Sequence, residues 1–292
     1  MNNTNSLFTY SYIAGLIDGD GFIRVYKNTG EYVVTMHLED QPLLSQLIEQ
    51  FGGYTQKVLN KNSIRWHLNA KTALNGKKTL VDLTRGLNGL IRNTIRLTQF
   101  KKVCQAFNLE PIEPKLLTGQ DGYIAGLFIT DGSIYINCRP SAADKKEKAS
   151  NSDTFKRELA EFQLLSPTEQ KAHRILKGVA PVIEIRIVNK HLVNVGDISK
   201  AINMGTTYFS RGDIRAPDGH FAFFIKKEKE IMPFIDYMNK YRTASVKHKR
   251  LDLVTEFYSL KNKRAHLPDA DPILNVEWQA LIREWYSSSY TH

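Results

Sequence analysis

The chain has 292 residues, of which 42% are hydrophobic and 24% are charged. This composition is ordinary for a soluble globular protein, and the length gives room for one big domain or two of usual size. Cys104 and Cys138 are the only cysteines and lie far apart in the sequence, so a disulfide framework or a thiolate zinc site has no basis. The formal net charge of +10 favours a polyanionic partner such as nucleic acid.

The sequence contains no run of about 18 apolar residues that could cross a bilayer. Its N-terminus lacks a basic leader and a small-residue cleavage site behind an apolar segment. We therefore expect the whole chain to be the mature protein, soluble, and neither secreted nor membrane-spanning. The lack of a leader also suits a protein that is made where it acts.

The first half predicts the element order α-β-β-α-β-β-α from its apolar periodicity. A helix from about residue 12 leads into a hairpin that turns at residues 28–30, followed by a helix over 43–51 that ends at two glycines. A second hairpin is predicted over 54–69, with its turn at 60–62. Helical spacing resumes from about residue 78 and runs to 107.

The second half follows the same plan less regularly. A strand is predicted over 133–139, followed by a charged insertion through residue 156 that we expect to be a mobile loop. A second strand is predicted to end at Gln163 and Leu164, and a helix to span 167–177. Further strands are predicted over 182–188 and 219–225, a helix over 227–241, and an added amphipathic helix over about 275–288.

Two segments of the chain repeat each other. Residues 12–26 read YIAGLIDGDGFIRVY and residues 123–137 read YIAGLFITDGSIYIN, so eight of the fifteen positions are identical at a spacing of 111 residues. This spacing is too long for a solenoid unit and matches a small domain. The sequence therefore predicts two related halves, residues 1–107 and 123–292, joined by a segment over 108–122 that holds the linker and the start of the second motif helix.

Each repeat carries a glycine inside its predicted helix, Gly15 and Gly126. A glycine in a helix costs up to about 1 kcal/mol relative to alanine, so a close approach of another backbone must offset it. We expect the two motif helices to cross there in a pseudo-twofold arrangement, with their C-terminal ends side by side. The glycines that follow, Gly21 and Gly132, are suited to helix C-caps.

Asp20 and Asp131 stand immediately before those cap glycines. Each carboxylate would face the negative end of its helix dipole and also the other carboxylate, and a bound divalent cation would relieve both conflicts. With the carbonyl oxygens of Gly19 and Thr130, they form a hard oxygen ligand set that suits Mg²⁺, with Ca²⁺ or Mn²⁺ as substitutes. Such a site is suited to phosphodiester hydrolysis. One Asp-Gly alone is a common turn, but two matched copies favour the metal site.

The segments IAGLIDGDG, residues 13–21, and IAGLFITDG, residues 124–132, resemble the two signature helices of a monomeric LAGLIDADG homing endonuclease. The resemblance implies an α+β fold of two pseudo-symmetric αββαββα halves, with saddle-shaped antiparallel sheets packed through the paired motif helices. It implies sheets that lie along the DNA major groove and a double-strand break across the minor groove of a long asymmetric target. Asp20 and Asp131 match the catalytic acidic position. The second copy departs from the consensus at residues 128–130, which predicts unequal half-sites.

By the same resemblance, a basic residue from a later helix of each half should lie near the active site. The triplets TIR, 94–96, and SVK, 245–247, point to Arg96 and Lys247, with phosphate contact or plain solvation as the alternative. Polar residues at the end of the second strand, His37 and Gln163, are predicted to orient the attacking water. Their alternatives are an ordinary hydrogen-bonded strand position or a DNA contact.

A sheet that reads a major groove needs polar side chains that alternate outward along its strands. We predict DNA contacts from Arg24, Tyr26, Asn28, Ser63, Arg65, His67, Ser133, Tyr135, Asn137, Arg139, Arg157, Arg186, Lys190, Arg211 and Arg215. An ordinary solvated sheet face remains the alternative for any single strand.

Two other functions compete with a site-specific endonuclease acting on double-stranded DNA. One is an RNA-binding maturase that assists the splicing of its host intron, and the other is a catalytically inactive DNA-binding regulator. The paired carboxylates favour the nuclease, because RNA binding alone does not require them. The resemblance implies an organellar location, mitochondrion or chloroplast, with the cytoplasm as the alternative.

Overall fold

The computed structural model describes residues 8–139, 153–211 and 217–287. The elements of the first half are α1 Tyr10–Asp20, β1 Gly21–Tyr26, β2 Thr29–His37, α2 Gln41–Phe51, β3 Tyr54–Lys57, β4 Ser63–Leu68, α3 Lys77–Leu87 and α4 Thr94–Ala106. The predicted order is confirmed up to β4. The single helix predicted over 78–107 is wrong, because two helices occupy that range. Gly89 adopts a φ of +83°, and the Asn93 side chain caps the N-terminus of α4.

The first sheet is antiparallel with the strand order β1-β2-β4-β3. β1 and β2 are joined by a two-residue turn in which Lys27 and Asn28 have φ values of 48° and 57°, the left-handed pair that matches strand twist in tight hairpins. One face of the sheet is apolar and packs on α3 and α4. Its buried side chains include Ile23, Tyr32, Val34 and Trp66. The other face is largely polar.

The elements of the second half are α5 Tyr123–Asp131, β5 Gly132–Arg139, α6 Asp153–Leu164, α7 Pro167–Lys177, β6 Val179–Asn189, α8 Ile198–Ile202, β7 Thr206–Ser210, β8 His220–Ile225, α9 Glu228–Lys240, α10 Val246–Asp252, α11 Val254–Asn262 and α12 Pro272–Trp285. Its sheet has the order β5-β6-β8-β7, which repeats the topology of the first sheet. The repeated α-β-β-α-β-β-α plan is therefore confirmed. The added C-terminal helix is confirmed as α12.

The second half differs from the first mainly by an insertion between its first two strands. The predicted strand ending at Gln163 and Leu164 is wrong, because both residues belong to α6. Leu159 and Phe162 stand three residues apart, which is helical spacing, and a short apolar run does not by itself separate a strand from a helix. The second strand is β6, which ends at Asn189. The mobile loop predicted through residue 156 falls mostly outside the described residues, and its last four residues begin α6.

By its contacts, the chain separates into two compact units. The first comprises Met1–Ser133 and Ile185–His248, and the second comprises Ile134–Glu184 and Lys249–His292. In the second unit, α12 packs against α7 and α11 and buries Trp278, Leu281 and Trp285. Across the three described ranges, no helix is both long and apolar enough to cross a membrane.

Candidate active site at the paired motif helices

The two motif helices, α1 and α5, pack directly on each other through their glycines. A Cβ atom placed on Gly15 would lie 2.1 Å from the carbonyl oxygen of Tyr123, and one placed on Gly126 would lie 2.0 Å from that of Tyr12. Both distances are far below van der Waals contact, and the two contacts are reciprocal. The backbones therefore touch where the sequence predicted the crossing, and no larger residue fits at either position.

Asp20 and Asp131 end these helices, and each is followed directly by the first residue of a strand. The cap glycines have extended backbones, with φ of −93° at Gly21 and −79° at Gly132. Left-handed backbone geometry is therefore not the reason for glycine. Space is the reason, because a Cβ on Gly21 would lie 2.5 Å from the Cα atom of Ile17.

The C-terminal ends of α1 and α5 lie side by side. A Cβ on Gly19 would lie 2.0 Å from Oγ1 of Thr130 and 3.2 Å from Oδ1 of Asp131. Asp20 is exposed and Asp131 is half-buried. Burial, and then the charge of Asp20, raise the pKa of Asp131 to about 7, while Lys247, a hydrogen bond from Asn189 and Arg96 lower it. The structure thus brings together four of the predicted catalytic residues: Asp20, Asp131, Arg96 and Lys247.

A divalent cation fits the electrostatics of this pair, because it would remove the repulsion that raises the pKa of Asp131. Among the described residues, no cluster of three or more His, Cys, Asp or Glu side chains is placed to hold a metal ion. A cation here would therefore depend on the two carboxylates, on backbone carbonyl oxygens and on oxygens from outside the chain.

Lys247 closes the end of α5. Its Nζ atom donates to the carbonyl oxygens of Phe128, Ile129 and Thr130 at 3.0, 2.7 and 2.9 Å, and the residue is only 1% exposed. A cation at a helix C-terminus is favourable, since it faces the negative end of the helix dipole and donates to the carbonyls of the last turn. The Thr130 carbonyl, predicted as a metal ligand, is therefore already bound to an ammonium group.

Asp40 holds Lys247 in position. Its Oδ1 atom accepts hydrogen bonds from the Ser245 hydroxyl at 2.8 Å and from the Val246 backbone N–H at 2.9 Å, at the start of α10. Burial raises the pKa of Asp40, and these hydrogen bonds and the charge of Lys247 lower it. The sequence offered no signal for this contact, because its partners are more than 200 residues apart.

Asp18 performs a related task in the first half. Its Oδ2 atom accepts from the backbone N–H groups of Arg92 and Asn93 at 2.6 and 3.1 Å and from the Tyr123 hydroxyl at 2.6 Å. Burial raises the pKa of Asp18 to about 6, and these hydrogen bonds lower it. Asp18 thus fixes the segment that leads into α4, the helix that carries Arg96. The counterpart of Asp18 in the second motif copy is Ile129, whose carbonyl oxygen accepts from Lys247 instead.

The residues at the ends of the second strands differ between the halves. His37 ends β2, where its Nε2 atom is 2.8 Å from Nδ2 of Asn62 and its Nδ1 atom accepts from the Glu39 N–H. The corresponding residue in the second half is Asn189 at the end of β6, whose side chain hydrogen bonds to Asp131. The prediction for Gln163 depends on its place at the end of a strand, but Gln163 is exposed on α6 in the second unit. The strand predicted over 182–188 is the second strand of this half, and Asn189 lies at its end.

The predicted DNA contacts on the first sheet mostly lie on its polar face. The register pairs Arg24 with Glu31 and Arg65 with Thr35, and both arginines are exposed. Tyr26 and Asn28 are also exposed, and Ser63 is half-buried. The structure does not support the predicted DNA contact at His67, because this residue is only 9% exposed and stacks on the ring of Tyr54, with ring centroids 5.1 Å apart. Val25 lies on the same face of β1 as the buried Ile23, but it is 43% exposed.

The remaining predicted contacts are more varied. Arg211 and Lys190 are exposed, and Lys190 pairs with Asp218 at 3.1 Å, while Arg186 is half-buried and contacts His220 at 3.2 Å. In the second unit, Asn137 is exposed and Tyr135 is half-buried. Ser133, in the first unit, is also half-buried. Arg157 is exposed on α6 and so does not belong to a sheet. Arg139 ends β5, and its side chain lies outside the described part of the chain, as does Arg215.

Solved structures with the same fold include the I-SmaMI LAGLIDADG homing endonuclease bound to cleaved DNA. It has 15% sequence identity and a TM-score of 0.58, over 94% of this chain and 96% of that one. The LAGLIDADG meganuclease I-AabMI, bound to uncleaved DNA, has 14% identity and a TM-score of 0.55, over 96% and 99% of the two chains. This chain has the LAGLIDADG homing-endonuclease fold. No protein-family model matches it.

Proteins of similar sequence are intron-encoded. The LAGLIDADG-fold chain is 25% identical over 283 residues to the probable intron-encoded endonuclease aI2 of Debaryomyces hansenii and 28% identical over 275 residues to the intron-encoded RNA maturase bI4 of Saccharomyces cerevisiae. It covers 37% and 36% of the length of these two relatives. It is also 24% identical to the intron-encoded DNA endonuclease ai2b of Dictyostelium discoideum, of which it covers 88%.

Proposed function

We propose that the protein is a divalent-metal-dependent endodeoxyribonuclease that makes a double-strand break at a long asymmetric DNA site and acts as a monomer. The observation that carries this proposal is the pair Asp20 and Asp131 at the adjoining ends of two glycine-packed helices. Burial and mutual repulsion raise the pKa of Asp131 to about 7, a costly arrangement that a cation would relieve. Two of the relatives are named as intron-encoded endonucleases of related sequence, which supports the proposal.

We propose that Asp20 and Asp131 hold Mg²⁺, together with the carbonyl oxygen of Gly19, and that Ca²⁺ or Mn²⁺ can occupy the same site. When bound, the ion would activate a water molecule and stabilise the leaving oxygen of the phosphodiester. A structural neighbour, I-SmaMI, was solved with uncleaved DNA in the presence of calcium ions. Its metal is consistent with the hard oxygen donors proposed here.

The residues around the carboxylates have separate tasks in this proposal. Lys247 fixes the last turn of α5 and so the position of Asp131, while Asn189 orients the carboxylate through its hydrogen bond. Arg96 supplies positive charge near Asp131, suited to a phosphate group. His37 remains a prediction for orienting water. The polar sheet face would read double-stranded DNA, and the intron-encoded relatives support an origin in an organelle.

A second candidate function is that of an RNA maturase. One observation favours it, the 28% identity to the intron-encoded RNA maturase of yeast. The two activities can occur in one protein, because a maturase needs an RNA-binding surface and makes no demand on the carboxylates. Specific binding to an intron transcript, with no cleavage of DNA in Mg²⁺, would favour this function.

The test is the cleavage of a randomised double-stranded DNA library with Mg²⁺, with EDTA as the metal-free arm. The chain is compared with Asp20→Asn, Asp131→Asn and a control, Asp82→Asn, which changes an exposed carboxylate on α3. We expect selective cutting at one long site by the native and control proteins only, with binding retained by all. A folded native protein that binds its site and cuts nothing would overturn the nuclease proposal and leave an inactive regulator.

A further inference from the structure

A buried carboxylate lies on the polar face of the first sheet. Glu31 is 3% exposed and stands directly opposite Arg24 in the pairing of β1 with β2, so both side chains share this face. Nε of Arg24 donates to Oε2 of Glu31, and Nδ1 of His67 lies 3.6 Å from Oε1. Burying a carboxylate is unfavourable unless it is paired, so the buried Glu31 keeps Arg24 and His67 in fixed positions beside it.

Arg24 is held on three sides. Besides Glu31, its guanidinium carbon lies 5.8 Å from the ring centroid of Phe22 and 5.6 Å from that of Tyr26, its neighbours on the same face of β1. Its side chain is nevertheless 54% exposed. Because the carboxylate takes the Nε–H, the two Nη groups at the exposed end are the ones that can meet a ligand.

The two Nη groups of an arginine match the O6 and N7 acceptors that only guanine presents together in the major groove. A guanidinium that is already fixed loses less conformational freedom on binding, so its selectivity is greater than that of a mobile side chain. Glu31 itself would repel phosphate groups and is covered, so direct contact with a base is not its task. Its effect on recognition would pass through Arg24.

The second half also contains a buried carboxylate that accepts hydrogen bonds from side chains of its first strand. Tyr135 stands four residues after Asp131, as Arg24 stands four residues after Asp20. The Tyr135 hydroxyl and the Asn137 amide donate to the two carboxylate oxygens of Glu184, which is 5% exposed. In each half, a buried carboxylate thus accepts a hydrogen bond from a side chain of the first strand, Arg24 in one half and Tyr135 in the other.

We propose that Arg24 reads a guanine in one half of the DNA target and that Glu31 is the residue that positions it. This inference rests on the proposed function only in taking duplex DNA as the ligand. It adds a base identity and a positioning residue.

The experiment measures base preference at every position of the bound site by selection from randomised duplex DNA, with Ca²⁺ in place of Mg²⁺. The native chain is compared with Arg24→Lys, Glu31→Gln and the double variant. We expect Arg24→Lys to lower the preference for guanine at one base pair by roughly 10- to 100-fold, because lysine keeps the charge and loses the bidentate contact. Glu31→Gln should lower the same preference by a smaller factor.

The double variant separates positioning from general stability. If Glu31 acts through Arg24, then Glu31→Gln has no further effect on this preference once Arg24 is lysine, whereas a purely structural role gives additive losses at many base pairs. Glu184→Gln is the matched control and should leave the preference at that base pair unchanged. Arg24 is half exposed, so Arg24→Lys remains informative even if Glu31→Gln unfolds the sheet.

Three results would overturn the inference. Selective binding in which no guanine depends on Arg24 removes it and leaves the proposed function standing. Additive effects in the double variant remove the positioning role of Glu31. A native chain that binds no duplex DNA selectively removes the proposed function and this inference together.

Discussion

The hydroxyl of Tyr123 donates to Oδ2 of Asp18 at 2.6 Å, so the two motif helices are bonded through a carboxylate that only the first copy has. Asp18 is 1% exposed, and burial raises its pKa to about 6. This contact connects the start of the second motif helix to the residues that lead into α4. It is therefore a point at which the two halves depend on each other within the first unit.

We expect Tyr123→Phe to lower the free energy of unfolding by about 1–3 kcal/mol, because it leaves a buried carboxylate short of one donor. The measurement is urea denaturation followed by circular dichroism. Tyr10→Phe is the control, since Tyr10 is 43% exposed at the start of α1, and it should change stability by less than about 0.5 kcal/mol. Equal effects from both variants would show that the hydrogen bond contributes nothing.

Gly126→Ala should disrupt the helix crossing. The added methyl group would lie 2.0 Å from the carbonyl oxygen of Tyr12, and neither backbone can move without separating α1 from α5. We expect a loss of about 1–3 kcal/mol or more, against the usual gain from alanine in a helix. Thermal unfolding provides the measurement, and Ser11→Ala on α1 provides the control. Unchanged or raised stability in Gly126→Ala would contradict the close packing.

Lys247→Met should reduce DNA cleavage more than DNA binding. Methionine keeps much of the buried volume but leaves the carbonyls of Phe128, Ile129 and Thr130 without their ammonium donor, so the end of α5 and Asp131 lose a fixed position. We expect the cleavage rate to fall at least about 10-fold, equivalent to about 1.4 kcal/mol in the barrier. Lys249→Met, at an exposed position of α10, is the control. Parallel losses of binding and cleavage would assign Lys247 to DNA contact instead.

Asp40→Asn should make stability less dependent on pH. Burial raises the pKa of Asp40 in the folded chain, so the folded state holds this proton more tightly than the unfolded state does. The contribution is therefore most favourable below about pH 4 and is lost as pH rises through the folded pKa. Unfolding free energies from pH 4 to 7 should fall less steeply in Asp40→Asn than in the native chain. Identical slopes would show that Asp40 does not titrate in this window.

The repeat made the most important part of the site predictable from sequence. Both motif helices have a glycine at the predicted crossing and an aspartate at the C-terminal end, so the two aspartates are predicted to lie in similar places. The structure brings Asp20 and Asp131 together as expected. The triplets around Arg96 and Lys247 also point to residues whose charges act on Asp131, and their catalytic roles stay predictions. These signals are local and need no knowledge of distant contacts.

The residues that sequence reasoning missed depend on tertiary structure. Asp40 meets residues more than 200 positions away, and Asp18 meets Tyr123 across 105 positions, so no periodicity marks either contact. Asn189 was missed for a different reason. The insertion places the second strand of the second half further along the chain, and the apolar run at Gln163, which predicted a strand, belongs to a helix.

The insertion also predicts that the two sheets form at different times during folding. β1 and β2 are joined by two residues, whereas residues 140–178 separate β5 from its neighbour β6. Closing a short turn is entropically cheaper and faster than pairing strands across a long segment. We therefore expect amide protons of the first hairpin to gain protection before those of β5 in pulsed hydrogen exchange during refolding, and simultaneous protection would contradict this order. Although the two halves share one plan, they would then fold at different rates. The N-terminal sheet would become ordered first, and the second sheet would form only after the inserted helices bring its strands together.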